Sequence, residues 1–168
     1  MQRPVQPFDP RHGLRQPAWW AALALLVFND HVLKGSHLLP GALTGKLSDF
    51  AGLVVAPVLA VAISGARTRG ARLALFALVA LVFTLIKTSL AMSDLYVRAL
   101  GALGVTARNV CDVTDLVALA ILPFAWSLTT ARTLRRERGQ WGVRSWRDRL
   151  AFALGGVACM ATSQPNPP

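Results

Sequence analysis

Apolar residues in this chain come in long blocks separated by short polar stretches. The four longest blocks cover residues 18–33, 47–63, 73–91 and 113–128. An α-helix rises about 1.5 Å per residue, so about 20 apolar residues cross the hydrocarbon core of a bilayer. We therefore predict an all-α protein, a polytopic transmembrane helical bundle whose main spans are these four blocks.

A fifth apolar block, at residues 150–163, is shorter than the others. It offers only about thirteen apolar residues, too few for a comfortable span, and we predict a short fifth helix there. The bundle then has four or five helices. Whether the fifth crosses the bilayer is left open by its length.

The polar segments complete the domain plan. Residues 1–17 are rich in proline and arginine and are predicted to be a disordered cytoplasmic arm. Residues 18–130 form the predicted four-helix membrane bundle, and residues 164–168 a tail. The strongly basic residues 131–149 are predicted to lie in the cytoplasm or at the membrane surface, where tryptophan and arginine suit an anionic leaflet.

Composition agrees with a membrane protein and argues against nucleic-acid binding. Of 168 residues, 54% are hydrophobic and 15% are charged. A net charge of +10 would suggest nucleic-acid binding in a soluble protein, but here the basic residues lie between apolar blocks. We therefore expect the lipid bilayer as the partner and no nucleic acid.

Basic residues also predict an orientation. Thirteen of the 18 fall on the side of the N-terminus if the blocks span the membrane. Because cytoplasmic loops carry excess lysine and arginine, we predict a bacterial inner-membrane protein with a cytoplasmic N-terminus. Trp19 and Trp20, at the start of the first block, are predicted to be interfacial anchors.

Polar and ionisable residues interrupt the other, outer ends of the blocks. Within a bilayer such groups cost several kcal/mol unless they are paired, hydrated or useful. Five aspartates face a similar number of basic residues at this depth, so the charges can balance. We predict an outward-facing polar pocket formed by Asn29, Asp30, His31, Lys34, Lys46, Asp49, Lys87, Asp112 and Asp115.

A purely structural role for these residues is an equally direct prediction. Ser48 or Asp49, and Thr114 or Asp115, could cap helix N-termini. Several charges have partners three or four residues away, such as Lys46 with Asp49. Lys87 and Asp115 lack such a neighbour, and we predict that they meet across the third and fourth blocks.

Two of the blocks resemble one another. LSDFAGLVVAPV matches VTDLVALAILPF, with an aspartate and a proline eight residues later in each, both offset by 66 residues. Both copies would enter the membrane in the same direction. The match suggests a parallel two-helix repeat, an arrangement known in transporters, in which Pro57 and Pro123 could bend the helices.

The sequence gives little support for a metal site, a cofactor site or a catalytic site. No HExxH, phosphate loop or dinucleotide motif is present, so we expect no metal and no cofactor. His31 beside Asp30 could carry a proton. Cys111 and Cys159 could form a disulfide if both lie outside. No catalytic residue can be assigned, and the sequence leans against an enzyme.

The residues NDHVLK followed by TGKLSDFAGL carry a resemblance. Over about the first four helices the chain resembles a group of small multi-pass bacterial membrane proteins of unknown function. More distantly, the stretches at residues 45–50 and 108–115 are similar to VanZ-like proteins. That resemblance implies a role in glycopeptide tolerance, although Asp49 stands where the pattern has histidine and Leu119 where it has asparagine.

Three functions follow as hypotheses. The first is a transporter-like or substrate-binding membrane protein whose pocket holds an ion, a proton or a polar headgroup. The second is a VanZ-like, envelope-lipid-associated protein or an intramembrane enzyme that uses an aspartate or histidine as acid or base. The third is an accessory subunit whose charges pair with a partner protein's helices.

Overall fold

A computed structural model describes residues 8–33, 40–102, 110–130 and 146–161 of the chain. Regular structure in these residues is helical and includes no strand, which confirms the all-α prediction. The α-helices are α1 (Pro17–Phe28), α2 (Gly41–Ser64), α3 (Arg69–Thr88), α4 (Leu90–Ala102), α5 (Leu122–Thr129) and α6 (Trp146–Ala161). Tighter 3₁₀ helices cover His12–Arg15 and Val113–Ile121, and a π-helix covers Asn29–Leu33.

Helix α2 is the central element. It packs against α1, α3, α5, α6 and both 3₁₀ helices. Its Val55, Val58 and Val61 are fully buried. Trp19 of α1 is also fully buried, and its indole Nε1 donates to the Val55 carbonyl at 3.4 Å. The prediction that Trp19 is an interfacial anchor is therefore wrong, because this ring fills the core between α1 and α2.

In the part of the chain that the structure describes, two helices are long and apolar enough to cross a membrane. They are Leu43–Ser64 in α2 and Arg69–Thr88, which is α3. The other two predicted spans are shorter: Pro17–Phe28 continues as the π-helix, and Val113–Thr129 combines a 3₁₀ helix with α5. Only 22% of the apolar window of α3 is buried, so most of this helix offers its side chains to the surroundings.

The two matching segments differ in their backbones. Pro57 lies inside the continuous helix α2. Pro123 instead lies in the first turn of α5, directly after the 3₁₀ helix. Proline has no N–H to donate and is tolerated in a first turn, where that N–H would lack a helical partner. Pro123 is thus a helix start rather than the mid-helix bend that we predicted.

Residues 8–16 differ from the predicted disordered arm. They include the 3₁₀ helix His12–Arg15, and Leu14 is only 2% exposed within the core. Asp9 accepts a hydrogen bond from the Arg11 N–H at 3.0 Å and pairs with Arg15 at 3.3 Å. Residues 1–7 lie outside the described part. The proline-rich composition predicted disorder, but part of this segment forms a short helix that buries Leu14.

This packing makes Gly13 sensitive to substitution. A Cβ added there would lie 2.5 Å from Val58 Cγ1. We expect Gly13→Ala to lower the free energy of unfolding by about 1–3 kcal/mol, because a crowded core must shift to make room.

Gly52→Ala is the matched control for Gly13→Ala. Gly52 lies within α2 and has nothing within 4 Å of an added Cβ. We expect it to be neutral or to stabilise by up to about 1 kcal/mol, the helix propensity of alanine over glycine. Thermal unfolding in detergent compares the two variants, and equal effects would contradict the packing of residues 8–16.

The third predicted block divides in two. Helix α3 ends at Thr88, Ser89 is extended with φ −122° and ψ 119°, and α4 begins at Leu90. Helix α4 was not predicted, because its aspartate, arginine and glycine residues break the apolar pattern. Lys87 therefore lies in the last turn of α3, directly before the chain changes direction.

Candidate functional site

Lys87 lies between two carboxylates. Its Nζ is 2.7 Å from Asp115 Oδ2 and 2.8 Å from Asp49 Oδ2. The three side chains are only 10–16% exposed. The predicted pair of Lys87 and Asp115 is confirmed, and Asp49 is a second partner that the sequence did not assign to Lys87.

Lys46 extends this arrangement toward the surface. Its Nζ donates to Thr114 Oγ1 at 2.6 Å and to Asp115 Oδ1 at 2.9 Å. The predicted local pairing of Lys46 with Asp49 is wrong, because Asp49 faces Lys87 instead. We call Lys46, Asp49, Lys87 and Asp115 the charge network. Its two ammonium groups and two carboxylates balance, and Lys46 is its most exposed member at 31%.

The predicted helix caps are also wrong in both matching segments. Helix α2 begins at Gly41, so Ser48 and Asp49 lie well inside the helix and cap nothing. In the second segment the cap is Asp112, whose Oδ1 accepts from the Thr114 N–H at 2.8 Å. The Thr114 hydroxyl and backbone N–H, both donating to this carboxylate, hold the pKa of Asp112 below its usual value.

A second polar cluster adjoins the charge network. Asn29 is fully buried, and its Nδ2 donates to the Thr44 carbonyl at 2.8 Å and to Ser48 Oγ at 2.6 Å. Ser48 Oγ donates in turn to Asp30 Oδ1 at 2.9 Å. We call Asn29, Asp30 and Ser48 the amide cluster. Asn29 and Asp30 belong to the π-helix, an element often found at functional sites.

The two clusters meet on α2, since Ser48 and Asp49 are consecutive. Six of the nine predicted pocket residues thus lie in or beside one polar region: Asn29, Asp30, Lys46, Asp49, Lys87 and Asp115. Asp112 joins it through Thr114, whose hydroxyl donates to Asp112 Oδ1 at 2.8 Å. The side chain of His31 and the whole of Lys34 lie outside the described residues.

Ser48 and Thr114 play a part that the sequence did not reveal. Each hydroxyl links two other polar groups, and each stands directly before the aspartate of its matching segment. The sequence did show that Ser48 and Thr114 occupy equivalent positions in the two matching segments. Because serine and threonine also favour helix N-termini, we interpreted both as caps rather than as links between polar groups.

Cys111 is a free thiol. Its Sγ donates to the Ile86 carbonyl at 3.6 Å, beside the end of α3. The suggested disulfide with Cys159 is therefore not formed in this structure.

The part of the chain that the structure describes brings no three histidine, cysteine, aspartate or glutamate side chains together in a metal-binding group. Comparison with protein families, with characterised proteins and with solved structures finds no match to this chain. The geometry of the polar region must therefore carry the functional argument.

Proposed function

We propose that this chain is a multi-pass protein of the bacterial inner membrane whose outward-facing polar region binds a small ion or a polar lipid headgroup, in the manner of a small transporter. The observation that carries the proposal is the charge network. Four ionised groups from three separate elements converge at one end of the bundle.

Surface character supports the membrane part of the proposal. Leu73, Leu78 and Leu81 of α3 are 50–55% exposed, although α3 is long enough to span. A patch of this kind is unfavourable in water and suits lipid chains. The two shorter apolar helices complete a bundle of four spans if their polar ends lie in the headgroup region.

Charge distribution supports the orientation. Arg67, Arg69 and Arg72 lie at the connection of α2 and α3, the opposite end of α3 from Lys87. Excess arginine is typical of cytoplasmic loops. The polar region then faces the outer leaflet.

Exposure within the charge network supports ligand binding. Lys87 is held by two carboxylates and is nearly buried, whereas Lys46 is 31% exposed and uses two of the three donors of its ammonium group on described partners. Lys46 can therefore contact an anionic group at the surface while it remains bound to Asp115. This gives the region a closed inner part and an accessible rim.

Pairing within the charge network argues against a partner protein that docks at this polar region. A subunit that docks through membrane charges keeps an uncompensated charge for its partner. Here both lysines of the charge network already have carboxylate partners in the same chain.

One observation favours a second candidate. The Ser48 hydroxyl donates to the Asp30 carboxylate, an arrangement in which an aspartate could accept a proton from a nucleophile. Together with the VanZ-like resemblance, it supports an intramembrane enzyme that acts on envelope lipids. Turnover of labelled envelope lipids by the purified protein, abolished in Ser48→Ala, would favour this candidate over binding alone.

Binding is tested on purified protein by native mass spectrometry and by flux in proteoliposomes. We expect a stoichiometric polar lipid or ion that Lys46→Met releases. Arg98→Gln, which removes an exposed charge on α4 outside the network, should retain it. Wild-type protein with neither a bound molecule nor flux would overturn the proposal, as would equal loss in both variants.

A further inference from the structure

A second buried charge lies at the opposite end of the bundle. Arg72 of α3 is only 8% exposed. Its guanidinium carbon lies 3.9 Å from the centre of the Phe8 ring and 4.9 Å from the centre of the Trp126 ring. Cation–π contacts of this kind hold a guanidinium by its face and leave its edge for other partners.

The hydrogen bonds of Arg72 are incomplete. Nη1 donates to the Thr129 carbonyl at 3.3 Å, at the end of α5. Nε is buried and has no hydrogen-bond partner among the described residues. A buried donor without an acceptor costs free energy, and more when the group is charged. Arg72 therefore lacks at least one acceptor.

Among the described residues, its charge is also uncompensated. Arg72 forms no ion pair with a carboxylate in the described ranges. Asp9, which neighbours Phe8, is engaged by Arg15 at 3.3 Å. Arg69, three residues earlier on the same helix face, carries a charge of the same sign. These surroundings favour an anion from outside the chain.

We infer that Arg72 binds the phosphate of an anionic phospholipid from the leaflet on the arginine-rich side of the bundle. A phosphate accepts two parallel hydrogen bonds from the edge of a guanidinium, and the Nε edge of Arg72 offers one donor that no described residue uses. The surrounding positive charge favours a lipid with net negative charge over a zwitterionic one. The inference rests on the proposed membrane location, because it needs a leaflet at this end.

Phe8 covers the guanidinium, so a phosphate that reaches Nε must move this ring. The ring belongs to the segment before α1, whose Leu14 is buried in the core, whereas Phe8 is only partly buried against it. A purely structural alternative is that Arg72 only holds this segment in place. The two explanations differ in what loss of each side chain does to lipid binding.

Native mass spectrometry of the full chain in detergent tests the inference with added dioleoylphosphatidylglycerol and dioleoylphosphatidylcholine. We expect wild-type protein to retain about one phosphatidylglycerol and much less phosphatidylcholine. Arg72→Gln should weaken retention about tenfold, the effect of losing a charge-assisted hydrogen-bonded pair. Arg72→Lys, which keeps the charge but not the two-pronged edge, should fall between the two.

Two further variants serve as controls. Arg67→Gln removes an exposed charge at the same end and should change retention less than about twofold, as expected for a surface charge. Phe8→Ala should retain at least as much phosphatidylglycerol as the wild type. Equal weakening in Arg67→Gln and Arg72→Gln, or unchanged retention in Arg72→Gln with faster proteolysis of residues 8–16, would overturn the inference.

The source of the phosphate is tested in the same experiment. Millimolar inorganic phosphate should leave the lipid bound. Full displacement of the lipid would assign the site to free phosphate and overturn the inference that Arg72 binds a phospholipid. Alkaline carbonate extraction of cells separates this inference from the proposed function. Protein that stays in the membrane but shows no Arg72-dependent retention overturns the inference alone, whereas released protein overturns the membrane location.

Discussion

Lys87→Met should lower the free energy of unfolding by about 3–5 kcal/mol, because removal of one member of a buried ion pair leaves its partners uncompensated. Here two carboxylates, Asp49 and Asp115, both lie within 2.8 Å of the lysine that is removed. Methionine keeps the length and apolar stem of the side chain, so packing is largely preserved. Unfolding in mixed detergent micelles, followed by circular dichroism, measures the loss.

Compensating variants separate charge from packing in this prediction. Lys87→Met combined with Asp49→Asn and Asp115→Asn should recover most of the lost stability, since replacement of buried ionic groups by neutral side chains is often tolerated. Lys46 keeps its charge in this variant, but at 31% exposure it can be hydrated. Lys46→Met, at the exposed rim, should cost less than Lys87→Met. A triple variant no more stable than Lys87→Met would show that charge is not the cause.

Asn29→Asp is expected to have the second large effect, about 3 kcal/mol or more of lost stability, through an unpaired buried charge. The exchange is isosteric, but it replaces the donor that reaches the Thr44 carbonyl at 2.8 Å and Ser48 Oγ at 2.6 Å with an oxygen. It also places a second carboxylate beside Asp30. Since Asn29 is fully buried, water cannot take over the lost hydrogen bonds.

The reverse exchange at an exposed position is the control for Asn29→Asp. Asp94→Asn on α4 alters the same atoms in solvent and should change stability by no more than about 0.5 kcal/mol. Unfolding of the two variants under one set of conditions gives the comparison. A tolerated Asn29→Asp would mean that the amide cluster is not formed as described.

The sequence predicted an ion pair correctly where the charged residues had no possible partner three or four positions away. Lys87 and Asp115 lacked a local partner, so long-range pairing followed by elimination. Asp49 as the second partner could not be deduced, because which face of α2 it occupies depends on the rotation of that helix against α3. Lys46 had a partner three residues away in the sequence, and tertiary packing overrode that local preference.

Helix boundaries were predicted less well than helix type, for a related reason. Helix α2 begins at Gly41, six residues before its apolar block, because polar Thr44 finds partners inside the protein: its carbonyl accepts from Asn29 and its hydroxyl donates to the Gly41 carbonyl. Hydrophobicity alone counts such residues as loop. Residues 8–16 show the opposite error of composition. Their proline and arginine content predicts disorder, yet Leu14 is buried in the core.

Cysteine labelling tests most directly whether the polar region faces outward in a membrane. In a chain that carries Cys111→Ser and Cys159→Ala, Gly41→Cys marks the start of α2 and Arg67→Cys marks the opposite end, both at exposed positions. A membrane-impermeant maleimide should label Gly41→Cys in intact spheroplasts and Arg67→Cys only after permeabilisation. Labelling of Arg67→Cys alone in intact spheroplasts, or of both sites equally, would contradict a membrane bundle with an outward-facing charge network.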